Sequence, residues 1–402
     1  MGEMTGVSYN PVVNIRLALD NCSAKAFPHF LHVYGNRFIM KLFRRLDDGV
    51  SPDLEVGRFL TTRTSFEHAP ALLGAVEYRR PEREPLTLGV VHEFVPNAGD
   101  AWRYTLDAVD HFFELVLTRN ADLASWGERS GPVVSDEPVV YPPFIVESVG
   151  MYLESARLLG QRTAELHLAL GSQEDEPGFA PEPFTALYQR SLYQSLRAKA
   201  DQSLILLAKR VRTLPPEVRE SADAVLAARD AVTARFRAVT QRPLTGMRIR
   251  CHGNYHLGKV LHTGRDFVIL DFGGEPSRTL GERRLKRSPL IDVAGMLRSF
   301  DYAAVSALID GRVRPEDVET LRPWAEEWRY WVSRAFVDAY RQTATVSGFL
   351  PRSVGDLRLL LDCYQLEKAL YEVALELNYR PLWTWIPLRG IRDLLDGAGA
   401  EP

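Results

Sequence analysis

The chain has 402 residues, with 49 basic against 52 acidic side chains and a formal charge of −3; 46% of residues are hydrophobic and 25% charged. These proportions exclude a disordered or fibrous chain, and the near-neutral balance provides no global field for nucleic acid or a membrane surface. The length suits two to three domains at ~100–200 residues each. Cys22, Cys251 and Cys363 lie far apart with no CxxC pair, which fits neither a disulfide framework nor a zinc site and points to a reducing compartment. No apolar run reaches the ~18 residues that span a bilayer. The start, MGEMTGVSYNP, lacks the basic-then-apolar order of a signal peptide, and Gly6 stands where a myristoylation motif needs Ser or Thr. The expectation is a cytoplasmic protein with no nucleic-acid or membrane partner.

Residues 30–34 and 37–43 are short apolar runs separated by Gly35-Asn36, a two-residue hairpin signal. Ser51-Pro52-Asp53 reads as a helix start, with a cap residue, a proline in the first turn and acids at Asp53 and Glu55; Leu54, Phe59 and Leu60 share its buried side. Residues 75–79 and 86–94 form a further strand pair around a polar PERE turn. Beyond Asp100 the period turns helical: 101–119, 146–170, 184–211 and 216–239, with a Gly-, Pro- and acid-rich loop over 171–183. A β island over 247–272 interrupts, and helices resume at 292–310, 314–346 and 354–377. Trp324, Trp328 and Trp331 recur at helical spacing, as core residues do. The layout is α+β: a small β-rich lobe over 1–95 and a large helical lobe over 96–402 that embeds one hairpin at 247–273, with a ligand cleft expected between the lobes.

Within that island a short strand runs into His252-Gly253-Asn254-Tyr255-His256-Leu257-Gly258-Lys259, and a tight hairpin then ends at Asp271-Phe272-Gly273. A polar loop and an aspartate thus reach one end of the same hairpin. Phosphoryl transfer from ATP needs this arrangement: a loop that orients the acceptor hydroxyl beside a carboxylate that holds Mg²⁺ on the phosphates. His252, Asn254 and Asp271 are the catalytic candidates, with Asp271 the metal ligand. His256 reads as a brace for the loop. Lys41 lies inside the apolar run Phe38-Ile39-Met40-Lys41-Leu42-Phe43 of an arginine-rich, lysine-poor chain, with Glu55 fourteen residues later. A strand lysine braced by a helix glutamate holds the α- and β-phosphates in kinase-like lobes; a lysine whose stem crosses a strand face to reach solvent is the plainer alternative.

His252–Gly258 followed by Asp271-Phe272-Gly273 resembles the aminoglycoside-phosphotransferase-like kinases. Gly274-Glu275-Pro276, Glu282-Arg283-Arg284, Lys286-Arg287-Ser288-Pro289-Leu290 and the run from Asp292 to Phe300 resemble bacterial maltokinases, as do Leu42-Phe43-Arg44-Arg45-Leu46, the stretch from Glu93 to Trp102, and residues 366–372 and 386–391. The likeness runs from about residue 30 to 395. It implies a bilobal protein-kinase-like fold, ATP and Mg²⁺ as cofactors, maltose as the sugar that becomes maltose 1-phosphate, and trehalose synthase as a partner in trehalose and glycogen metabolism. It further implies that ATP lies near Lys41, Glu55, Glu93 and Val95, that Asp292 ties down the catalytic loop, and that Arg287, Glu372 and Asn378 face the sugar.

The chain also departs from that pattern. Asn254 replaces the loop aspartate that activates the sugar hydroxyl, and an amide is a far poorer proton acceptor. Lys259 stands where related kinases place an Asn or Gln near the metal, and a cation there repels or partly replaces Mg²⁺. DFEGEP becomes Asp271-Phe272-Gly273-Gly274-Glu275-Pro276, which removes one carboxylate. Ala26-Phe27-Pro28-His29-Phe30-Leu31, the segment expected over the phosphates, offers few donors to an anion. Asn378-Tyr379-Arg380-Pro381-Leu382-Trp383 departs from the family's NNRPDW. Two readings follow: an ATP-dependent sugar kinase, or a catalytically impaired relative that binds sugar or nucleotide beside glycogen and trehalose enzymes.

Overall fold

A computed structural model of the chain describes residues 3–8, 29–119, 121, 129 and 131–396. Cys22 and Ala26-Phe27-Pro28, the first half of the segment expected over the phosphates, lie outside the described residues, as do Met1 and Gly2. The fold is α+β. The strands β1 (Glu3–Ser8), β2 (His29–Tyr34) and β3 (Phe38–Phe43) are followed by helix α1 (Pro52–Arg63), then β4 (Leu72–Arg79) and β5 (Leu86–Glu93). They build one antiparallel sheet in the order β1-β4-β5-β3-β2. Gly35 makes the β2–β3 turn with φ +57°, a conformation glycine adopts without steric cost. The strand β1 has no counterpart in the pattern reading, because its six residues, EMTGVS, show no clean alternation.

Helix α1 lies against this sheet. Leu54 packs into a buried cluster with Leu72, Ala75 and Val90, flanked by Phe43 and Val50, and Phe59 and Leu60 are buried as the spacing predicts. At Gly89 a Cβ would stand 2.7 Å from the Lys41 carbonyl oxygen, so the glycine permits the close β3–β5 approach in which Lys41 pairs with Val90.

The helical part consists of α2 (Ala101–Thr118), α3 (Pro143–Leu170), the short β6 (Glu182–Pro183), α4 (Ala186–Arg210), α5 (Pro216–Ala227), α6 (Arg229–Arg237) and β7 (Met247–Arg248), which pairs with β6. The hairpin β8 (Val260–His262) and β9 (Phe267–Ile269) comes next, then α7 (Leu280–Arg284), α8 (Leu290–Ile309), α9 (Val318–Ala344), α10 (Val354–Tyr379) and α11 (Trp385–Asp396). Trp324, Trp328 and Trp331 are buried on α9. Among the described residues no helix is long and apolar enough to cross a membrane.

The described residues gather into two compact units. One comprises those up to Tyr104 with Arg162–Pro181 and Ile249–Arg287; the other comprises Thr105–Gln161, Glu182–Arg248 and those from Ser288 onward. The expected division at residue 95 follows the chain linearly, whereas these units do not. The β8–β9 hairpin belongs to the sheet-bearing unit because its bonds run to segments that flank the sheet strands there: the Ile269 amide donates to the His68 carbonyl (2.8 Å) and the His262 amide to that of Gly99 (2.9 Å).

In the second unit Gly160 of α3 lies so close to α9 that a Cβ would sit 2.2 Å from the Phe336 carbonyl oxygen. A backbone carbonyl cannot swing aside as a side chain can. Gly160→Ala is therefore expected to destabilise the protein by about 1–3 kcal/mol, read as a lowered denaturation midpoint at unchanged slope.

Candidate active site

The polar loop and Asp271 meet by backbone bonding. Beyond the paired strands β8 and β9 the ladder continues one step, with the Leu270 amide donating to the Lys259 carbonyl at 2.8 Å. Lys259 therefore sits across from Leu270, one residue from Asp271. The loop is stapled to the same place from its other end, since a ring nitrogen of His252, Nε2, lies 2.8 Å from the Leu270 carbonyl. Rings close the loop behind it: His252 is 5.3 Å from both Tyr255 and Phe272, and the Tyr255 and Thr163 hydroxyls hydrogen-bond at 2.9 Å. The carbonyl of His256 accepts from the Lys259 amide at 2.8 Å, in keeping with a bracing role.

Asp271 has φ +69°, the left-handed region that costs a non-glycine residue roughly 1–2 kcal/mol and that aspartate and asparagine tolerate best. Its carboxylate lies between two ammonium groups: Lys41 engages Oδ1 and Lys259 engages Oδ2. Lys41 is bound on its other side by Asp53, 2.7 Å away, and both of those side chains are almost fully buried, at 9% and 2% exposed. Burial on its own would lower the Lys41 pKa, but Asp53 and Asp271 override it and hold the ammonium above the ordinary lysine range. Burial would likewise raise Asp271, yet Lys41 and Lys259 hold its carboxyl far below the usual carboxylate range. By formal charge the two lysines and the two aspartates of the cluster balance.

A divalent cation, which the resemblance implies at Asp271, does not fit these residues. Both Asp271 oxygens already meet ammonium groups. Asp53 Oδ1 is buried and accepts no hydrogen bond among the described residues, but its other oxygen is committed to Lys41. Glu275, the remaining carboxylate of the DFGGEP run, is tied to Arg278 at 2.9 Å and to Ser277. Among the described residues no group of three His, Cys, Asp or Glu side chains is arranged to hold a metal. A dication roughly 4 Å from the Lys259 ammonium would meet about 8 kcal/mol of repulsion at an effective dielectric of about 20.

The lysine's partner is Asp53, which corrects the expectation that Glu55 braces it. Two residues along a helix is a rotation of about 200°, so when Asp53 faces the sheet Glu55 points away; it receives Arg250 at 2.8 Å and Arg284 at 2.9 Å instead. A charged residue just after a helix-starting proline marks Asp53 in the sequence, but spacing alone does not choose between the two acids. Glu93 ends β5, exposed, opposite Phe38. The Val95 carbonyl accepts the Asn97 side-chain amide at 2.8 Å. Asn254 is half-buried, and its backbone N–H lies 3.4 Å from His252 Nδ1.

The sugar-side candidates are distributed differently. The Arg287 backbone bonds reciprocally with Ile249 at 2.9 Å. Glu372 and Asn378 both belong to the second unit. Glu372 is buried and bound by Arg298 at 2.7 and 2.9 Å, in a network that includes Asp301 and Arg389. The Asn378 side chain donates to its own helix at the Ala374 carbonyl, 2.9 Å away. For Glu372 the observed role is therefore an internal ion pair, which an apolar-periodic helix does not announce. Asp292 is buried in the first turn of α8.

No family model matches the chain. It is similar to a protein named glucosamine kinase from Streptacidiphilus jiangxiensis, 24% identical over 319 residues that cover 78% of this chain and 58% of the relative. It is also similar to a glucosamine kinase from Mycolicibacterium smegmatis, 26% identical over 373 residues, 90% of this chain and 76% of that one. The chain thus spans little more than half the length of the first relative. Among solved structures, a glucosamine kinase in complex with glucosamine, ADP and inorganic phosphate superposes with a TM-score of 0.69 at 20% identity, covering 98% of this chain and 82% of that one. The fold is kinase-like.

Two outcomes are expected of the charge cluster. Asp53→Ala strands the buried Lys41 beside a single carboxylate and should cost about 3–5 kcal/mol by chemical denaturation. Asp271, depressed in the folded state, contributes stability above the ordinary carboxylate pKa and loses it as pH falls; Lys41, raised, contributes below the ordinary lysine pKa and loses it as pH climbs. The stability gap between wild type and Asp271→Asn should therefore stay constant from about pH 5 to 9 and narrow below about pH 4.

Proposed function

We propose that the chain is a sugar phosphotransferase that moves the terminal phosphoryl group of ATP to a sugar hydroxyl, releasing ADP, sugar phosphate and a proton. The observation that carries the reading is the convergence of Lys41, from the sheet, on Asp271, at the end of the hairpin that also presents the 252–259 loop. In the proposed complex the Lys41 ammonium, already poised for an anionic partner, binds nucleotide phosphate beside Glu93 and Val95. Asn254 orients the acceptor hydroxyl, and His252 keeps the loop in register with Leu270. Such a site works by positioning and by neutralising charge as the phosphoryl group moves.

Glucosamine is the first acceptor to test, since the two relatives described above carry that name. Maltose, with trehalose synthase as partner, is supported by the run from Gly274 to Phe300 and is the second. An impaired relative is favoured by one specific feature, the amide at Asn254, which cannot take up the hydroxyl proton.

The test is formation of sugar phosphate from ATP with each acceptor, by wild type and by Asn254→Asp. Turnover by the wild type on either sugar is expected to be slow, and the carboxylate should raise it by about 10²–10⁴-fold. Transfer by neither protein, with both folded and both melting higher in the presence of sugar, would establish a sugar-binding protein that has lost the chemistry.

A further inference from the structure

Lys259 offers more than an obstacle to metal. It reaches Asp271 through bonds that leave it little choice: its amide donates to the His256 carbonyl and its carbonyl accepts the Leu270 amide, both at 2.8 Å. The backbone is thus pinned on both sides, and the side chain is only 22% exposed. Two ammonium groups from segments 218 residues apart in sequence, 41 and 259, converge on one carboxylate. A nucleotide polyphosphate carries the same kind of oxygen donors as Asp271, in greater number and with more charge, so it competes for both ammonium groups.

We propose that this site binds a nucleoside polyphosphate without a divalent cation, with the Lys259 ammonium in the position a metal would occupy and Lys41 as its partner. The inference rests on the nucleotide-binding part of the function proposed above. In it, Asp271 is a resting counter-ion that holds the two lysines in place until phosphate displaces it. A metal-dependent site needs that carboxylate as a ligand; here the carboxylate competes with the nucleotide. Removing its charge therefore has opposite consequences under the two arrangements. Asparagine tolerates the left-handed backbone of residue 271 nearly as well as aspartate does, so Asp271→Asn changes charge with little change of shape.

The neighbouring glycine permits the converse experiment. At Gly273 an added Cβ meets nothing nearer than the Asp271 carboxylate at 3.9 Å, and the residue is outside the left-handed region. A double variant, Lys259→Asn with Gly273→Glu, removes the cation and adds a second carboxylate.

ATP binding is read by thermal shift and titration calorimetry in EDTA and in excess Mg²⁺, with each variant's own melting curve establishing that it is folded. Expected are a wild-type affinity within about twofold between the two conditions, a severalfold tighter affinity for Asp271→Asn in EDTA, and at least a tenfold loss in EDTA for the double variant. Wild-type binding that requires Mg²⁺, or weaker binding by Asp271→Asn, overturns the inference and leaves the nucleotide site standing. No binding by folded wild type or Asp271→Asn under either condition overturns the inference together with the nucleotide reading.

Discussion

One carboxylate set between two ammonium groups organises the sheet-bearing unit. Asp271 binds Lys41 from β3 and Lys259 from the foot of β8, while Asp53 binds Lys41 from the first turn of α1. A buried lysine is costly unless it is paired, and a paired one is costly to leave half-paired. Strand, helix and hairpin are therefore coupled: none can move without exposing an uncompensated charge to a poorly hydrated interior. The left-handed backbone at Asp271 is tolerated within this arrangement and turns the carboxylate toward both lysines.

Much of this was legible in the residues. The Gly35-Asn36 turn, the proline-led helix start at Ser51-Pro52-Asp53 and the hairpin that ends at Asp271 are local signals, governed by backbone sterics and period, and they appear where the pattern places them. Lys41 stood out because a lysine inside an apolar run must either snorkel out or find a partner. The partner's identity was not legible. Asp53 and Glu55 are both acids of the same helical turn, and only the angle at which α1 meets the sheet decides between them. Glu372 illustrates the same limit: its motif position suggested a role toward sugar, whereas the buried Arg298 guanidinium takes it up. Side-chain pairing across distant segments is decided by tertiary geometry, to which spacing along the chain is blind.

The loop and hairpin have regular backbone geometry, and the departures in this chain lie in the charge of the side chains they carry. The loop keeps its turns, with Gly253 and Gly274 at φ +77° and +72°, and the hairpin keeps its ladder. What differs from the pattern that the motifs resemble is charge: an amide at 254, a cation at 259, a missing carboxylate at 273. Under the metal-free binding proposed above, the cation at 259 and the lost carboxylate at 273 both favour an anion over a dication. A scaffold of kinase-like shape thereby carries a different electrostatic programme, and its geometry is kept by internal pairs such as Glu55 with Arg250 and Arg284, which do not depend on that programme.

The wide separation of Lys41 and Asp271, 230 residues apart in sequence, also bears on how the protein is made. At roughly 5–20 residues per second, a ribosome takes on the order of 10–50 s to travel from one to the other. For most of that interval β3 and α1 have been synthesised while the hairpin that completes their charge balance does not yet exist. Lys41 then has Asp53 as its near partner and lacks Asp271. The unit can close only after residues 249–287 emerge, so slow synthesis across the intervening helices prolongs that incomplete pairing, and the yield of folded protein becomes sensitive to translation rate.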